Sequence, residues 1–210
     1  MRAVDILRQL QRDIHSVVLA TVDGQGRPAT CVMDLMLADE DGLYFLTAVG
    51  KAVYRRLLSS PFVSLTGFTG RDTLSAVSVT VRGPVREVGP GLLPRIFEQN
   101  PYMAVLYPTA SSREALTVFA LYAGQGTWMD LSQRPIYREA FAFGGMAVAE
   151  AGFSVGAACT GCGQCLPACP QGCIRLEGGR AAIQAAHCLH CGRCADICPQ
   201  KAVARLGGDA

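Results

Sequence analysis

Val4, Leu7, Leu10 and Ile14 recur at helical spacing among arginine, glutamine and aspartate, which predicts one amphipathic helix at the start of the chain. The period then drops to two. A run rich in valine and threonine over 16–23 and β-like runs over 29–37 and 43–47, separated by turns at 24–28 and 39–42, predict a meander of antiparallel strands. Gly50-Lys51 opens a short helix, AVYRRLLSS, which Pro61 ends. PFVSLTGF and the long TLSAVSVTVRGPVREV follow as strands, and in the second Val77, Val79 and Val81 alternate with Ser78, Thr80 and Arg82. A proline cannot donate to a ladder, so Gly83-Pro84 predicts a bulge there. Leu92, Leu93, Ile96 and Phe97 predict a helix, and Asn100-Pro101 separates it from a second short one up to Tyr107. LTVFALYAG and TWMDLS resume the sheet, and 134–143 leads out to Gly144-Gly145, the expected domain boundary. Six or more short strands with few helices predict a mainly β fold, an antiparallel barrel with flanking helices, because closure removes exposed edges.

Composition narrows the function classes. Apolar residues make up 50% of the chain and charged residues 17%, yet no apolar run approaches the roughly 18–20 residues that span a bilayer. The opening carries charges where a signal peptide needs an apolar stretch, so a soluble cytoplasmic protein is expected. A formal charge of +2, with no basic run interleaved with aromatics, argues against nucleic acid or membrane as partner.

The cysteines carry the strongest chemistry. Nine of the ten lie between Cys159 and Pro199, where CTGCGQCLPACP is repeated as CLHCGRCADICP at an offset of 29 residues. Each copy reads C-x2-C-x2-C-x3-C-P. Three cysteines at such spacing can wrap one corner of an iron–sulfur cubane, whereas a zinc site favours paired C-x2-C arms and a disulfide scaffold spreads its cysteines through a secreted chain. In the bacterial two-cluster pattern the fourth cysteine ligates the other cluster. The repeat resembles the bacterial-type two-cluster ferredoxins over about residues 150–207, a small α+β module. That resemblance implies two 4Fe-4S clusters, one on Cys159, Cys162, Cys165 and Cys198, the other on Cys188, Cys191, Cys194 and Cys169.

Residues 1–145 carry a second resemblance. The order helix, meander, YFLTAVGKAVYRRLLSSPFVSLTG and VSVTVRGPVREV resembles the flavin-binding split barrels related to pyridoxamine 5′-phosphate oxidase. NPYMAVLYP, VFALYAGQGTWMDLS and REAFAFGG resemble a subgroup in which such a barrel precedes a ferredoxin module. The family implies FMN at the interface of a homodimer. Its phosphate then falls near Thr47 and Lys51, with Arg55 and Arg56 one turn later, where a helix start offers unpaired N–H groups. The isoalloxazine falls against Cys31, Val32, Met33 and Asp34, although some relatives carry a basic residue where this chain has Cys31. Arg71, in a glycine-flanked loop, is a further candidate for phosphate or substrate. Relatives of this fold also hold haem or deazaflavin.

Other residues read as structural. Trp128 is expected in the core or at a dimer contact, Cys173 packed beside a cluster, His187 and His190 on solvent-facing loops, and His15 without a chemical role. No Ser-His-Asp set, carboxylate pair or dinucleotide fingerprint appears. The combination implies an iron–sulfur flavoprotein oxidoreductase. Electrons would pass between an external ferredoxin or reductase, the clusters and FMN, to or from a small substrate, and a non-catalytic redox sensor or electron carrier is the alternative.

Overall fold

A computed structural model describes residues 1–149 and 151–207. The amphipathic opening forms α1 (Ala3–Gln9), which buries Ile6 and Leu7, and continues as a π-helical turn over Leu10–Ile14. That turn closes with the His15 N–H donating to the Leu10 carbonyl at 2.8 Å. The meander follows as β1 (Ser16–Val22), β2 (Pro28–Asp39) and β3 (Gly42–Ala48). After α2 (Ala52–Ser59) come β4 (Phe62–Thr69) and β5 (Val77–Gly89). Three short helices, α3 (Leu93–Gln99), α4 (Met103–Leu106) and α5 (Ala110–Arg113), precede β6 (Leu116–Leu121), β7 (Gly124–Asp130) and β8 (Tyr137–Phe143).

The sheet runs in the order β4-β1-β2-β3-β6-β5-β7-β8, and β4 also pairs with β5. Six strands therefore close on themselves, with β7 and β8 added beside β5. Phe45 and Phe119 stack inside at 5.9 Å between ring centroids, among buried Leu19, Leu35, Leu65, Val79 and Val81. β3 and β6 are buried on both faces, since Tyr44, Leu46, Val118 and Ala120 pack outward on Ile96 of α3 and Met103 of α4. Double burial explains why these two strands read as continuous apolar runs rather than alternating ones.

β2 slips register against β3 between Leu35 and Leu37, which makes Met36 a bulge residue. Its carbonyl accepts from Asn100 Nδ2 at 3.0 Å and from Gln11 Nε2 at 3.4 Å. Asn100 is buried and also donates to the Ile96 carbonyl at 2.9 Å, so one amide ties the α3 end to the bulge.

One expectation changes. β5 begins at Val77 rather than Thr73, because Asp72 caps a 3-10 turn at Thr73–Ser75: its carboxylate accepts from the Leu74 and Ser75 N–H groups. Against β6, β5 slips register between Glu87 and Gly89. At Gly83 the strand passes so near the Ala123 carbonyl that a Cβ would collide with it.

Contacts divide the chain into two compact units. One comprises Met1–Thr69, Ser78–Trp128 and Phe141–Val148; the other comprises Gly70–Val77, Met129–Ala140 and the residues from Ala149 on. In the second, β9 (Gly152–Val155) pairs with β12 (Val203–Leu206), and β10 (Ile174–Glu177) pairs with β11 (Arg180–Ile183). Two one-turn helices, α6 (Cys165–Ala168) and α7 (Arg193–Asp196), occupy equivalent places in the two cysteine repeats. Among the described residues no helix is long and apolar enough to cross a membrane.

Replacing Asn100 with Ala removes two amide hydrogen bonds, leaving the Met36 carbonyl to Gln11 and the Ile96 carbonyl to the residue-100 N–H, and should lower stability by about 1–2 kcal/mol. Denaturant unfolding followed by the fluorescence of Trp128, the sole tryptophan and buried in the barrel unit, measures it.

Candidate cofactor sites

In the second unit the cysteines separate into two quartets. Cys159, Cys162, Cys165 and Cys198 surround one small cavity; Cys169, Cys188, Cys191 and Cys194 surround another, with Cys173, Phe153, Ile174 and Ile183 also in its lining. Each quartet draws three sulfurs from one repeat and one from the other. Among the described residues no three such side chains close on a common point as a single ion requires; each quartet instead rings a space.

Backbone amides point at these sulfurs. Ala181 N–H donates to Cys159 Sγ at 3.4 Å, His190 N–H to Cys188 Sγ at 3.4 Å, and Ala202 N–H to Cys198 Sγ at 3.3 Å. The amides of Ala181 and Gly161 hold the Cys159 thiol below its ordinary range. Gly161 has φ +69, and a Cβ there would strike the Gly179 carbonyl, so the turn between Cys159 and Cys162 requires glycine. This donor set fits thiolates sharing a cluster, whose negative charge such amides offset. Cys173 is 1% exposed, 3.4 Å from Cys169 Sγ, and burial pushes its thiol up to about 12. It packs with Ile174, Ala181 and Val203.

The two histidines are not on solvent-facing loops. His187 Nδ1 meets the Ile136 carbonyl at 3.0 Å and its ring packs edge-on to Tyr137. His190 contacts the Arg138 guanidinium at 2.6 Å, and Gln171 Oε1 accepts from the Ile136 N–H at 2.9 Å. Residues 136–138 thus grip the loop that carries Cys188 and Cys191.

The barrel unit holds a wider, open cavity of about 330 Å³. Cys31, Val32, Met33, Asp34 and Met36 of β2 line it with Leu46 and Thr47 of β3, Lys51 and Val53 at the start of α2, and Met103, Leu106 and Tyr107. The structure brings together six of the sequence candidates: Cys31, Val32, Met33, Asp34, Thr47 and Lys51. Three others lie elsewhere. Arg55 is exposed outside the lining, Arg56 Nε donates to Thr21 Oγ1 at 2.7 Å, and Arg71 belongs to the capped turn of the second unit. The side chain of Arg56 leaves the helix toward β1, yet its charge and that of Lys51 oppose the upward push of burial on the Cys31 thiol.

Thr47 is 2% exposed, and its hydroxyl has no hydrogen-bond partner. Its cross-strand neighbour Thr117 spends its own proton on Glu87 Oε1 at 2.6 Å. A buried unpaired hydroxyl, a lysine and a helix start on one cavity are groups that can donate to an anion. Lys51 occupies the cap position of α2 without a side-chain cap bond, so the first N–H groups of that helix retain their orphan character.

One lining residue, Asp34, is held by side chains from outside the lining. Asp34 accepts from Ser16 Oγ at 2.5 Å through one oxygen and from Tyr102 Oη at 3.0 Å through the other. His15 Nε2 lies 2.9 Å from the same phenol oxygen, and burial together with Asp34 pushes the Tyr102 phenol far above its usual range. The separation of 87 residues between His15 and Tyr102 hides the contact from any local pattern. Trp128 is away from this cavity, its indole N–H bonded to Gln9 Oε1 at 2.9 Å, and Tyr122 lies under the Arg86 guanidinium.

Comparison with known proteins follows the same division. The family described as pyridoxamine 5′-phosphate oxidase matches residues 4–127, and the one described as 4Fe-4S dicluster domain matches residues 149–203. A search of the curated proteins gives no match. Among solved structures, a NimC/NimA family protein from Clostridium acetobutylicum is 17% identical with a TM-score of 0.56, covering 67% of this chain and 92% of its own. A general stress protein 26-related protein of the pyridoxinephosphate oxidase family, also from Clostridium acetobutylicum, is 14% identical with a TM-score of 0.52, covering 66% and 92%. A heme binding protein from Mycobacterium smegmatis is 16% identical with a TM-score of 0.53, covering 67% and 57%. At such identities the shared property is the split-barrel fold.

The orphan hydroxyl makes a signed prediction. In the ligand-free chain Thr47→Val should leave stability unchanged or raise it by up to about 1 kcal/mol, because valine keeps the shape and removes a buried polar group. Loss of stability in a denaturant titration would show that the hydroxyl is paired.

Proposed function

Because the chain belongs to the pyridoxamine 5′-phosphate oxidase family and continues into a 4Fe-4S dicluster domain, we propose that it is an iron–sulfur flavoprotein oxidoreductase. Two 4Fe-4S clusters on the two cysteine quartets exchange electrons with FMN in the barrel cavity, which acts on a small substrate. The unpaired Thr47 hydroxyl beside Lys51 carries the flavin part of the reading. Thr47 Oγ1, the Lys51 ammonium and the first N–H groups of α2 hold the phosphate, and β2 from Cys31 to Asp34 supplies the wall for the ring system. FMN converts between single electrons and electron pairs, which is what joins one-electron clusters to two-electron substrates. An external ferredoxin or reductase is the electron partner.

The cavity is open and its rim is apolar, with Val32 73% exposed and Leu106 63% exposed. A second copy of the chain covers this rim, excluding water from the ring system, as the family's interfacial flavin implies. Haem is the rival occupant, since a heme binding protein shares the fold. Its cavity-facing ligand here would come from Cys31, Met33, Met36, Met103 or Tyr107, as no histidine lines the space.

Anaerobic purification and acid extraction should release about eight irons and eight sulfides per chain together with FMN. Extracted haem, or no flavin after FMN is offered, would overturn the flavoprotein reading, and light scattering on the same sample reads the dimer. Lys51→Ala should weaken FMN binding about tenfold or more, the range of one charged hydrogen bond, with iron content unchanged. Turnover of candidate acceptors with reduced ferredoxin separates an enzyme from a sensor or carrier.

A further inference from the structure

The two cysteine repeats give the second unit an internal comparison. At an offset of 29 residues, His190 between Cys188 and Cys191 takes the place of Gly161 between Cys159 and Cys162. Both backbones are left-handed there, Gly161 with φ 69 and His190 with φ 57. Glycine adopts that region at little cost, whereas a residue with a Cβ is strained in it. The main chain does the same work in both turns: the Gly161 amide supports the Cys159 sulfur, and the His190 N–H donates to Cys188 Sγ at 3.4 Å. Glycine would serve the second turn as it serves the first, so the histidine side chain is the part that needs a reason.

That side chain is seated against a cation from outside both repeats. Arg138 Nη1, from β8, lies 2.6 Å from its Nε2 and 2.9 Å from its Nδ1. The ring also lies against Gly152, where a Cβ would come within 3.1 Å of Nε2. A guanidinium keeps its proton and a second cation would repel it, so the ring in this contact is neutral and the charge belongs to Arg138. Arg138 is half-buried, and its charge and that of the Cys188 sulfur attract. The first turn has no such seat, since at Gly161 the Gly179 carbonyl fills the place of a Cβ. Arg180, the cation that acts on Cys159, is exposed, with Nη2 donating to the Val155 and Gly156 carbonyls. Arg205, whose charge also reaches His190, is exposed like Arg180. Water and salt screen such exposed charges far more than a half-buried one.

We propose that Arg138, seated on His190, raises the reduction potential of the cluster held by Cys169, Cys188, Cys191 and Cys194 and leaves that of the other cluster alone, so that two repeats of one pattern become unequal electron sites. This rests on the reading of two 4Fe-4S clusters given under Proposed function. Reduction by the external reductant adds one electron, and with it one negative charge, to a quartet and its cluster. A fixed positive charge close by stabilises that product more than the starting state. No proton has to move, because Arg138 is charged before and after.

The test uses the full chain carrying its clusters, titrated anaerobically with dithionite in the presence of redox mediators. EPR reads cluster reduction, and the contact-shifted proton resonances of the ligating cysteines assign each step to its quartet. Arg138→Gln should make reduction at the Cys188 quartet about tenfold less favourable, ~59 mV for one electron, and move the other by no more than about twofold. Arg138→Lys keeps the charge and should restore most of the wild-type value, which a purely structural guanidinium would not allow. His190→Gly gives the second turn the residue of the first, removes the seat and should shift the same step in the same direction, including where Arg138→Gln loses iron. Arg180→Gln should move the Cys159 quartet by no more than about twofold, since its charge is screened. Unchanged potentials in Arg138→Gln or in His190→Gly overturn the proposal, as does Arg138→Lys shifted as far as Arg138→Gln, or an equally large shift in Arg180→Gln. A wild-type chain with fewer than about eight irons overturns the two-cluster reading itself.

Discussion

The carbonyl of Met36 is the point on which the barrel site depends. A bulge turns it out of the β2–β3 ladder, and a buried carbonyl without partners would cost about 1–3 kcal/mol. Asn100 and Gln11 meet it from opposite ends of the sequence. One bond brings the turn after α3, and with it Tyr102 and the α4 wall of the cavity; the other brings the π-helical turn that ends at His15. The bulge also leaves Asp34 just before it, on the β2 stretch that lines the cavity. Cavity, carboxylate and phenol are placed together because a single backbone oxygen had to be satisfied.

The second unit solves a different problem by the same kind of economy. Its helices have one turn each and its two sheets have two strands each, too little regular structure to bury a large core. The cysteine quartets do the joining. Since each borrows one sulfur from the other repeat, neither half can adopt its loop independently, and the apolar residues Ile174, Ala181 and Val203 pack among the sulfurs instead of around a separate centre.

Much of this was legible in the chain. Val77, Val79 and Val81 declare a half-buried strand, LTVFAL a further strand, and the cysteine spacing forms two sets by its own arithmetic. Lys51 could be picked out because a helix start and a cation coincide in sequence. What escaped depends on distance. His15 and Tyr102 share no local signal, and the two hydroxyls that meet the oxygens of Asp34 come from Ser16 and Tyr102, which no spacing connects to it. Arg55, Arg56 and Arg71 stand out for the opposite reason: charge near a glycine or a helix start is easy to notice, but the direction of a long side chain is decided by partners such as Thr21. Asp72 shortened β5 through a cap that looks, in sequence, like part of the strand.

The grip of residues 136–138 on His187, His190 and Gln171 alters what counts as the ferredoxin module. A lineage that exchanged only the segment after Gly145 for another dicluster unit would inherit a loop whose histidines had lost their counterparts. Recombination at that seam is therefore penalised, and residues 136–138 and the cysteine repeats are bound to be inherited together, as one unit of descent written in two separated stretches of chain.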